Sequence, residues 1–505
     1  MATETFHISE KSFPEVVIGI VSPVGTSLEK TINELKSCFE QYKYQFYHVK
    51  LTDLFPGIAK VLRYDGLNNE TRDQRIDTYI KFGNHLRHHV GLKVLGAFAI
   101  SEIALRRPEE ITNCEGIVYV VDQLKTEEEI ELLKEVYGTR FLQISVYSAR
   151  NIRVDNLAKS IAHDHNKRDG NHFRAKAEEL VVRDEDELGV PYGQKVGKIF
   201  QLADVVINDD RTDDRNRVED QIKRFVELLF GHNGHSPNHL EYGMYLAHSA
   251  ALRSLDLSRQ VGAAIFRSTG EIASLGANEV PKAGGGTYWC DDPYDAREYV
   301  LGDDSNDIRK KELLDEVVRI LQPDQTEITP EQREKLKKSQ FMDALEYGRI
   351  IHAEMSAISD ASRLGINIKD GTLYCTTFPC HMCSKHIVAS GIMKVVFLEP
   401  YPKSLTSDLH SDSVNIEGTS RGKYQHFPGV DFVPFFGITP RKYREFFYRG
   451  KRKEEGKYEP YRQNQPKLVI ASSGPFYARR EGAIAEALTE ALKQLAQQGP
   501  PSSPQ

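Results

Sequence analysis

The sequence predicts two successive α/β domains, the first a doubly wound parallel sheet and the second a smaller sheet flanked by helices. Three observations carry this. Residues 16–210 alternate short apolar runs with helix-period segments, the pattern of βαβ units. From Arg211 to Gly234 the composition turns charged and then Gly/His-rich, as at a boundary. Beyond it, a strand–turn–strand at 258–277 and a strand–helix passage at 373–390 begin a second αβ pattern.

The first domain opens on Val16-Val17-Ile18-Gly19-Ile20-Val21, a continuous apolar run of the kind buried on both faces of a sheet. The turn Ser22-Pro23-Val24-Gly25-Thr26-Ser27 follows, then a helix to about Tyr42. Further strands are expected at Tyr44–Leu51, Gly116–Val121 (ending in Asp122), Arg140–Tyr147 and Asp204–Asn208, with a helix at Thr126–Tyr137 among those between them. Ligands of such sheets bind at the carboxyl ends of the strands.

The first turn reads as a degenerate phosphate-binding loop. Aligned on Gly25, Thr26 and Ser27, the G-x-x-x-x-G-K-[ST] pattern lacks its first glycine (Ile20) and its lysine (Thr26). Backbone N–H groups at a helix start still hold phosphate without lysine, but phosphoryl transfer normally uses it. Asp122 reads either as a Mg²⁺-orienting acid or as a turn residue. The domain is therefore P-loop-NTPase-like and either senses a nucleotide, with Mg²⁺ admissible beside it, or is purely structural.

His232, His235 and His239 in the boundary region read mainly as exposed histidines, with joint metal binding the rarer alternative. The second domain begins with a helix, Glu241–Ser254, and a strand within 258–266, turned at Ser268-Thr269-Gly270 into Ile272–Ala277. Residues 293–338 are rich in Asp, Glu and Lys, and read as a helical surface insertion with solvated charges. Leu373–Phe378 reads as a strand, Cys380–Ser390 as a helix closed by Gly391, and His352–Arg363 as a helix closed by Gly365. A strand begins at Val396. A helix-like segment near Lys403–His410 and a strand at Val430–Phe435 then suit a parallel crossover.

The chemistry concentrates in His352-Ala353-Glu354 and Pro379-Cys380-His381-Met382-Cys383. A catalytic zinc takes three protein ligands and keeps its fourth position for water, whose proton it loosens near neutral pH. His352, Cys380 and Cys383 supply the three, and the two sulfurs lie on one face of a first helical turn, where thiolate is favoured. Glu354 is then the general acid and base. A structural zinc knuckle needs four closed ligands, and the chain has no second C-x-x-C. The H-x-E…P-C-x-x-C pattern is that of zinc-dependent base deaminases.

Composition narrows the remaining classes. The chain has 505 residues, 40% apolar and 28% charged, enough for two or three domains with sizeable cores. A net charge of −7 argues against general affinity for nucleic-acid backbone. No apolar N-terminal region or long apolar span is visible, so secretion and membrane insertion are not expected. Six scattered cysteines, two of them assigned to zinc, fit a reducing cytoplasm, with Cys38, Cys114 and Cys375 as small buried hydrophobes.

Ser258-Arg259-Gln260-Val261-Gly262-Ala263, Gly276-Ala277-Asn278-Glu279, His352-Ala353-Glu354 and Pro379-Cys380-x-x-Cys383 resemble the deoxycytidylate deaminase branch of the zinc deaminases. With the P-loop-like first domain and Gly284-Gly285-Gly286-Thr287-Tyr288-Trp289, the whole chain resembles the bacterial anti-phage deoxycytidine-nucleotide deaminases. The resemblance implies a cytidine-deaminase-like three-layer α/β/α second domain with one Zn²⁺. It further implies conversion of dCTP or dCMP to the uracil nucleotide, depletion of that pool during infection, homo-oligomers, and restraint by a partner such as an inhibitory RNA. Carried over by position, Asn278 contacts the sugar hydroxyl or is a turn residue, and Ala353 lies beside the substrate. Tyr288 and Trp289 cover the base or pack the insertion. Tyr401 sits at the pocket, and Lys403 meets phosphate.

The boundaries follow as 1–225 for the nucleotide-kinase-like domain, 226–239 for a linker and 240–440 for the deaminase domain. A C-terminal helical extension occupies 441–498, and 499–505 is a disordered Pro/Ser end. The aromatic and basic residues of 424–461 fit an amphipathic helix with a buried aromatic stripe better than a single-strand platform. A free-nucleotide deaminase is thus the leading reading. A nucleic-acid-editing deaminase would need a basic channel, and a nucleotide-controlled signalling protein would bind ATP or GTP with little turnover.

Overall fold

The computed structural model describes residues 15–108, 116–187, 190–211, 216–321, 328–337, 339, 342, 346–400, 404–450, 452–461, 468–470 and 477–497. The chain divides into two compact units, residues 1–236 with 436–505, and residues 237–435. No single helix among the described residues is long and apolar enough to cross a membrane.

The first unit begins β1 (Glu15–Val21), α1 (Glu29–Gln41), β2 (Tyr44–Lys50), α2 (Leu51–Leu62), α3 (Arg72–Val90), α4 (Val94–Arg106), β3 (Gly116–Asp122), α5 (Glu127–Tyr137) and β4 (Phe141–Tyr147). It continues α6 (Arg150–Asp164), α7 (Arg174–Glu185), α8 (Val196–Phe200), β5 (Val205–Asn208) and α9 (Val218–Leu229). Strands β5, β4, β1, β3 and β2 pair in parallel in that order. The apolar runs of β1 and β3 are buried throughout, as both faces of a parallel sheet require. Alternation then assigns the faces: Val16, Ile18 and Ile20 pack with Leu35 and Phe39 of α1 and with Ile222 and Phe225 of α9. Thr126 and Glu129 form a capping box that starts α5.

The second unit runs α10 (His239–Ala251), β6 (Gly262–Phe266), β7 (Ile272–Ala277), α11 (Glu298–Leu301), α12 (Ser305–Leu321), α13 (Pro330–Lys337) and α14 (Ala353–Arg363). It then runs β8 (Thr372–Thr377), α15 (His381–Ala389), β9 (Lys394–Glu399), α16 (Thr406–Leu409), β10 (Val414–Ile416) and β11 (Val430–Pro434). The sheet order is β10-β11-β9-β8-β6-β7, a mixed sheet in which β6 is antiparallel to β7 and β8. The remaining pairs are parallel, including β11 on β9, the crossover the sequence suggested.

Side-chain alternation builds three layers in this unit. Ala263, Ile265, Leu373 and Cys375 face α14 and α15. Phe266 and Tyr374 stack edge to face on the other side, where Tyr242 of α10 meets Phe266. On the α14 side, the approach of helix to strand is set by Gly276 in β7. A Cβ there would lie 2.1 Å from the Ala353 carbonyl oxygen and 2.6 Å from the Ala357 nitrogen. With Ala at 353 and 357, the helix start rests directly on the strand backbone, which fixes the height of the segment carrying His352 and Glu354.

After β11 the chain returns to the first unit as β12 (Gly437–Ile438), α17 (Tyr443–Phe447), β13 (Lys453–Glu454), β14 (Lys457–Tyr458) and α18 (Tyr477–Gln497). Strand β12 pairs antiparallel with β5, and Thr439 Oγ1 donates to the Ala203 carbonyl. Arg107 holds Glu481 of α18 and Glu15 of β1 together at 2.6 and 2.7 Å, and Tyr137 and Tyr477 donate to the same two carboxylates.

Several boundary expectations change. The stretch expected as a linker contains the last turn of α9 and the first residue of α10, because Val226, Leu228 and Leu229 are core residues. The expected C-terminal extension 441–498 does hold a long helix, α18, but is not helical throughout. It contains a two-stranded ribbon and belongs to the first unit. Among its described residues the basic–aromatic stretch 424–461 forms strands β11 to β14 and, as its α-helix, the five-residue α17, with Phe446 fully buried and Tyr448 exposed, in place of the long amphipathic helix expected. The expected disordered end, 499–505, lies outside the described residues.

Candidate metal and catalytic site

His352 and Cys380 occupy the same local position: each is the extended residue immediately before a helix, α14 and α15 respectively. Both helices therefore start one residue later than the sequence suggested. Each of these residues still closes the first helical turn through its carbonyl, accepting from Ser356 N and Ser384 N. Two helix N-termini converge on one point, and their unpaired N–H groups favour negative charge there. Cys383, in the first turn of α15, brings the second sulfur.

The three candidate ligand atoms lie together. His352 Nδ1 is 3.4 Å from Cys380 Sγ and 3.3 Å from Cys383 Sγ. Zinc bonds of about 2.0–2.1 Å to nitrogen and 2.3 Å to sulfur at tetrahedral angles place such atoms about 3.5 Å apart, so the cradle fits zinc. Electrostatics favour thiolate at Cys380. Hydrogen bonds from Cys383 and His352 push Cys380 down to about 4, while the same pairing and burial push Cys383 up. The bond to Cys380 raises His352 to about 9. Desolvation raises Glu354, whose residue is 4% exposed and follows His352 by two positions.

These residues open onto a cavity of about 170 Å³. Its walls include His352, Ala353, Glu354, Cys380 and Asn278, so five of the residues singled out in the sequence share one space. Asn278 is 5% exposed and heavily used: Oδ1 accepts from Val261 N at 2.7 Å, and Nδ2 donates to Asp256 Oδ2 and the Arg259 carbonyl, both at 2.8 Å. One Oδ1 lone pair remains for a ligand hydroxyl.

Tyr288 and Trp289 do not line the cavity. Arg253 donates to the Tyr288 carbonyl and lies 3.4 Å over the Trp289 ring, whose residue is 49% exposed. Both contacts thus run to Arg253, next to α10, and neither to the cavity nor to the charged insertion. Tyr401 and Lys403 lie outside the described residues.

The wall also holds residues no motif announced. Asp256, Thr377 and Phe378 come from outside the quoted motifs, and Glu298, Asp304 and Asn306 come from the charged insertion, while Arg259 of the Ser258–Ala263 motif joins them. That insertion is thus not solely a solvated face. Glu298 is buried and accepts from Ser305 Oγ at 2.7 Å, and buried Arg297 bonds Asp295 and reaches Glu279 at 3.6 Å. The only sequence signal was the local Asp-x-Arg-Glu run 295–298, indistinguishable from surface charge.

In the first unit, Gly25, Thr26, Ser27 and Asp122 line one common cavity. Helix α1 begins only at Glu29, so the loop does not form the helix start itself. Its Val24 N–H donates to Asp184 Oδ2 at 2.7 Å, and Thr26 N–H donates to the Pro23 carbonyl. Asp122 Oδ2 pairs with His48 Nε2 at 3.1 Å, and no metal-competent group among the described residues includes Asp122. His232 and His235 cluster instead with Glu227, while His239 opens α10 outside that group. At 2.6 Å, His235 Nε2 and Glu227 Oε2 form a hydrogen bond, closer than two ligands of one ion.

Comparison with known proteins supports the zinc assignment. Residues 237–399 match the family described as "Cytidine and deoxycytidylate deaminase zinc-binding region". The chain is 48% identical over 54 residues to the deoxycytidylate deaminase of Enterobacteria phage T2, spanning 11% of this chain and 29% of that protein. It is 27% identical over 195 residues to human deoxycytidylate deaminase, 39% of this chain and 78% of that protein. The chain thus spans less than a third of the phage relative, but most of the human one. The structure of dCMP deaminase from the cyanophage S-TIM5 in apo form overlaps 40% of this chain and all of that one, at 18% identity and a TM-score of 0.22.

Proposed function

We propose that this chain is a zinc-dependent hydrolase that removes the exocyclic amino group of deoxycytidine nucleotides. Water and dCMP or dCTP give the deoxyuridine nucleotide and ammonia. The observation that carries the reading is the meeting of His352 Nδ1 with Cys380 Sγ and Cys383 Sγ at 3.3–3.4 Å, beside a buried Glu354 in one cavity wall. The similarity of residues 237–399 to the zinc-binding region of deoxycytidylate deaminases supports the substrate class.

When bound, zinc supplies Lewis acidity that makes water nucleophilic near neutral pH. The chain's own groups do the rest. Glu354, desolvated and next to the ligands, takes the proton from water and delivers it to the ring nitrogen beside C4. The water oxygen bonds to C4, Glu354 then takes the second proton from the new C4 hydroxyl and passes it to the amino group, so the C4–N bond breaks as ammonia leaves and a C4 carbonyl remains. Nothing is oxidised or reduced. Asn278 offers its remaining lone pair to a sugar hydroxyl, and Phe378 gives the base an apolar wall.

The described lining offers a nucleic-acid strand no run of cations to follow. The described lining holds the carboxylates of Asp256, Glu298, Asp304 and Glu354 against one guanidinium, Arg259, which Glu399 steadies at 3.3 Å. A polyanionic strand would cross an acidic mouth without a basic channel. The family resemblance adds the setting: depletion of the deoxycytidine nucleotide pool against phage, by a cytoplasmic homo-oligomer restrained by RNA.

Ammonia release measured across dCMP, dCTP, CTP, dATP and oligonucleotides tests the reading. Deoxycytidine nucleotides should be turned over and oligonucleotides spared. Glu354→Gln should keep stoichiometric zinc while losing about 10²–10⁴-fold in rate, the usual range for a positioned acid–base. Cys383→Ala should lose the metal. Robust turnover by Glu354→Gln would remove the acid–base assignment, and oligonucleotide turnover would replace the substrate class.

A further inference from the structure

The first unit holds a second, larger cavity of about 980 Å³ that the deamination chemistry does not use. It opens at the carboxyl ends of three parallel strands, where the loop after β1, Lys50 of β2 and Asp122 of β3 meet, the usual ligand position of such sheets.

Its lining is unfinished in a way that points to a ligand. Gln194 Oε1, on a residue 7% exposed, and Asp122 Oδ1, on one 3% exposed, are buried without a hydrogen-bond partner among the described residues. Thr26 Oγ1 shares this condition. Buried polar atoms left unmatched are costly, so such a cluster on a cavity wall is an acceptor and donor set awaiting a partner.

The charges divide just as clearly. The inward cations Arg87 and Lys125 are locked to Glu129 and Asp184 at 2.8 Å each. By contrast, Lys50, Arg72, Arg75 and Lys159 line the same cavity with no ion pair among the described residues, in a chain of net charge −7. Arg75 stands 4.6 Å over the Tyr79 ring, and Tyr79 stacks on Phe55 at 5.5 Å, which holds that guanidinium at the cavity wall.

We propose that this cavity binds a nucleoside polyphosphate and does not hydrolyse it. Arg72, Arg75 and Lys159 take the phosphates, and the unmatched acceptors Gln194 Oε1 and Asp122 Oδ1 take hydroxyl or amino hydrogens of the nucleoside. The degenerate loop argues for retention without transfer. It has no lysine, its Val24 N–H is already taken by Asp184, and Lys125 Nζ ties that carboxylate to the Ser22 carbonyl at 2.9 Å. A carboxylate of the chain thus stands where an anion would otherwise meet the loop. At Gly25 (φ +90°), a Cβ would lie 2.5 Å from the Arg153 carbonyl oxygen, which closes the loop from its other side.

Isothermal titration of the zinc-loaded full chain with ATP, GTP, inorganic triphosphate and adenosine tests this, alongside a phosphate-release assay. ATP or GTP should bind at least tenfold more tightly than adenosine or triphosphate, with no phosphate released. Arg75→Glu with Lys159→Glu should weaken that binding at least tenfold, while circular dichroism and dCMP turnover stay as in the parent. Lys159→Glu alone, on an exposed position, should show a smaller loss in the same direction. No binding of either nucleotide at millimolar concentration would overturn the proposal, as would unchanged affinity in the double variant. Triphosphate binding as tightly as ATP would remove the nucleoside from the assignment, and phosphate release would remove the non-hydrolysing character. Because none of these probes is a cytosine nucleotide and the variants lie in the first unit, failure here leaves the deaminase reading untouched, and the reverse also holds.

Discussion

Gly276→Ala should disable the zinc site without touching any group in it. The added Cβ would lie 2.1 Å from the Ala353 carbonyl oxygen, whereas real Cβ contacts essentially never fall under 3.0 Å, so the start of α14 must move by about 0.9 Å. The obstacle is backbone, which cannot rotate away as a flexible side chain can. Overpacking of this kind costs about 1–3 kcal/mol. For a unit of this size that lowers the thermal midpoint by several degrees, at about 2–4 °C per kcal/mol. The functional effect should be larger, because His352 and Glu354 flank Ala353 and shift with it, and a displacement near 1 Å costs about 10²-fold in rate. The assay is ammonia release from dCMP together with metal content and thermal unfolding of the same preparation. The expected result is a rate drop near two orders of magnitude, with a modest loss of stability and weakened zinc retention. Parent-like rate and zinc content would show that Gly276 does not set the height of the helix, and would refute the packing argument.

The other predictions concern the first unit. Glu129 accepts from Arg87 Nε, Lys125 N and Thr126 N in a fully buried setting, so Glu129→Ala should destabilise the unit by about 3–5 kcal/mol, read from urea unfolding. A loss under about 1 kcal/mol would mean the pair is replaceable. Burial, with His89 and His88 adding to it, pushes His85 down to about 4, so it is neutral in the fold and binds its proton more readily when unfolded. Its stabilisation is therefore full above the ordinary histidine value near 6.5 and is lost as pH falls toward 4. His85→Gln should flatten the stability profile across that window, and parallel profiles would show that another group governs it. Lastly, Glu481→Gln should loosen α18, since the Glu481 carboxylate accepts from both Arg107 and Tyr137. Hydrogen exchange in α18 should rise, and unchanged protection would place its docking energy in apolar contacts alone.

The zinc cradle was legible because coordination chemistry constrains residue type and spacing over short stretches of chain. An imidazole and a carboxylate two apart, and two thiols three apart on a helix start, carry their geometry with them. The inner strands β1 and β3 were legible for a similar local reason, since a run buried on both faces reads as continuous apolar sequence, whereas the short β10 and β12 carried no such run. Helix starts were off by one at His352 and Cys380, because a residue that closes a first turn through its carbonyl looks helical in sequence while its backbone is extended.

By itself, then, the amino-acid order determined the candidate ligand trio, the carboxylate two residues from His352, the alternation of strands and helices, and the absence of a lysine from the loop after β1. Folding decided what surrounds them. Only the tertiary structure brought Asp256 to Asn278, drew Glu298 and Asp304 of the insertion into the cavity wall, and sent residues 436–505 back to complete the first unit. It also placed Asp184 on the Val24 N–H, 160 residues away in sequence. Such contacts obey no local period: they depend on which distant surfaces can exclude water together, and that is settled by the whole packed chain.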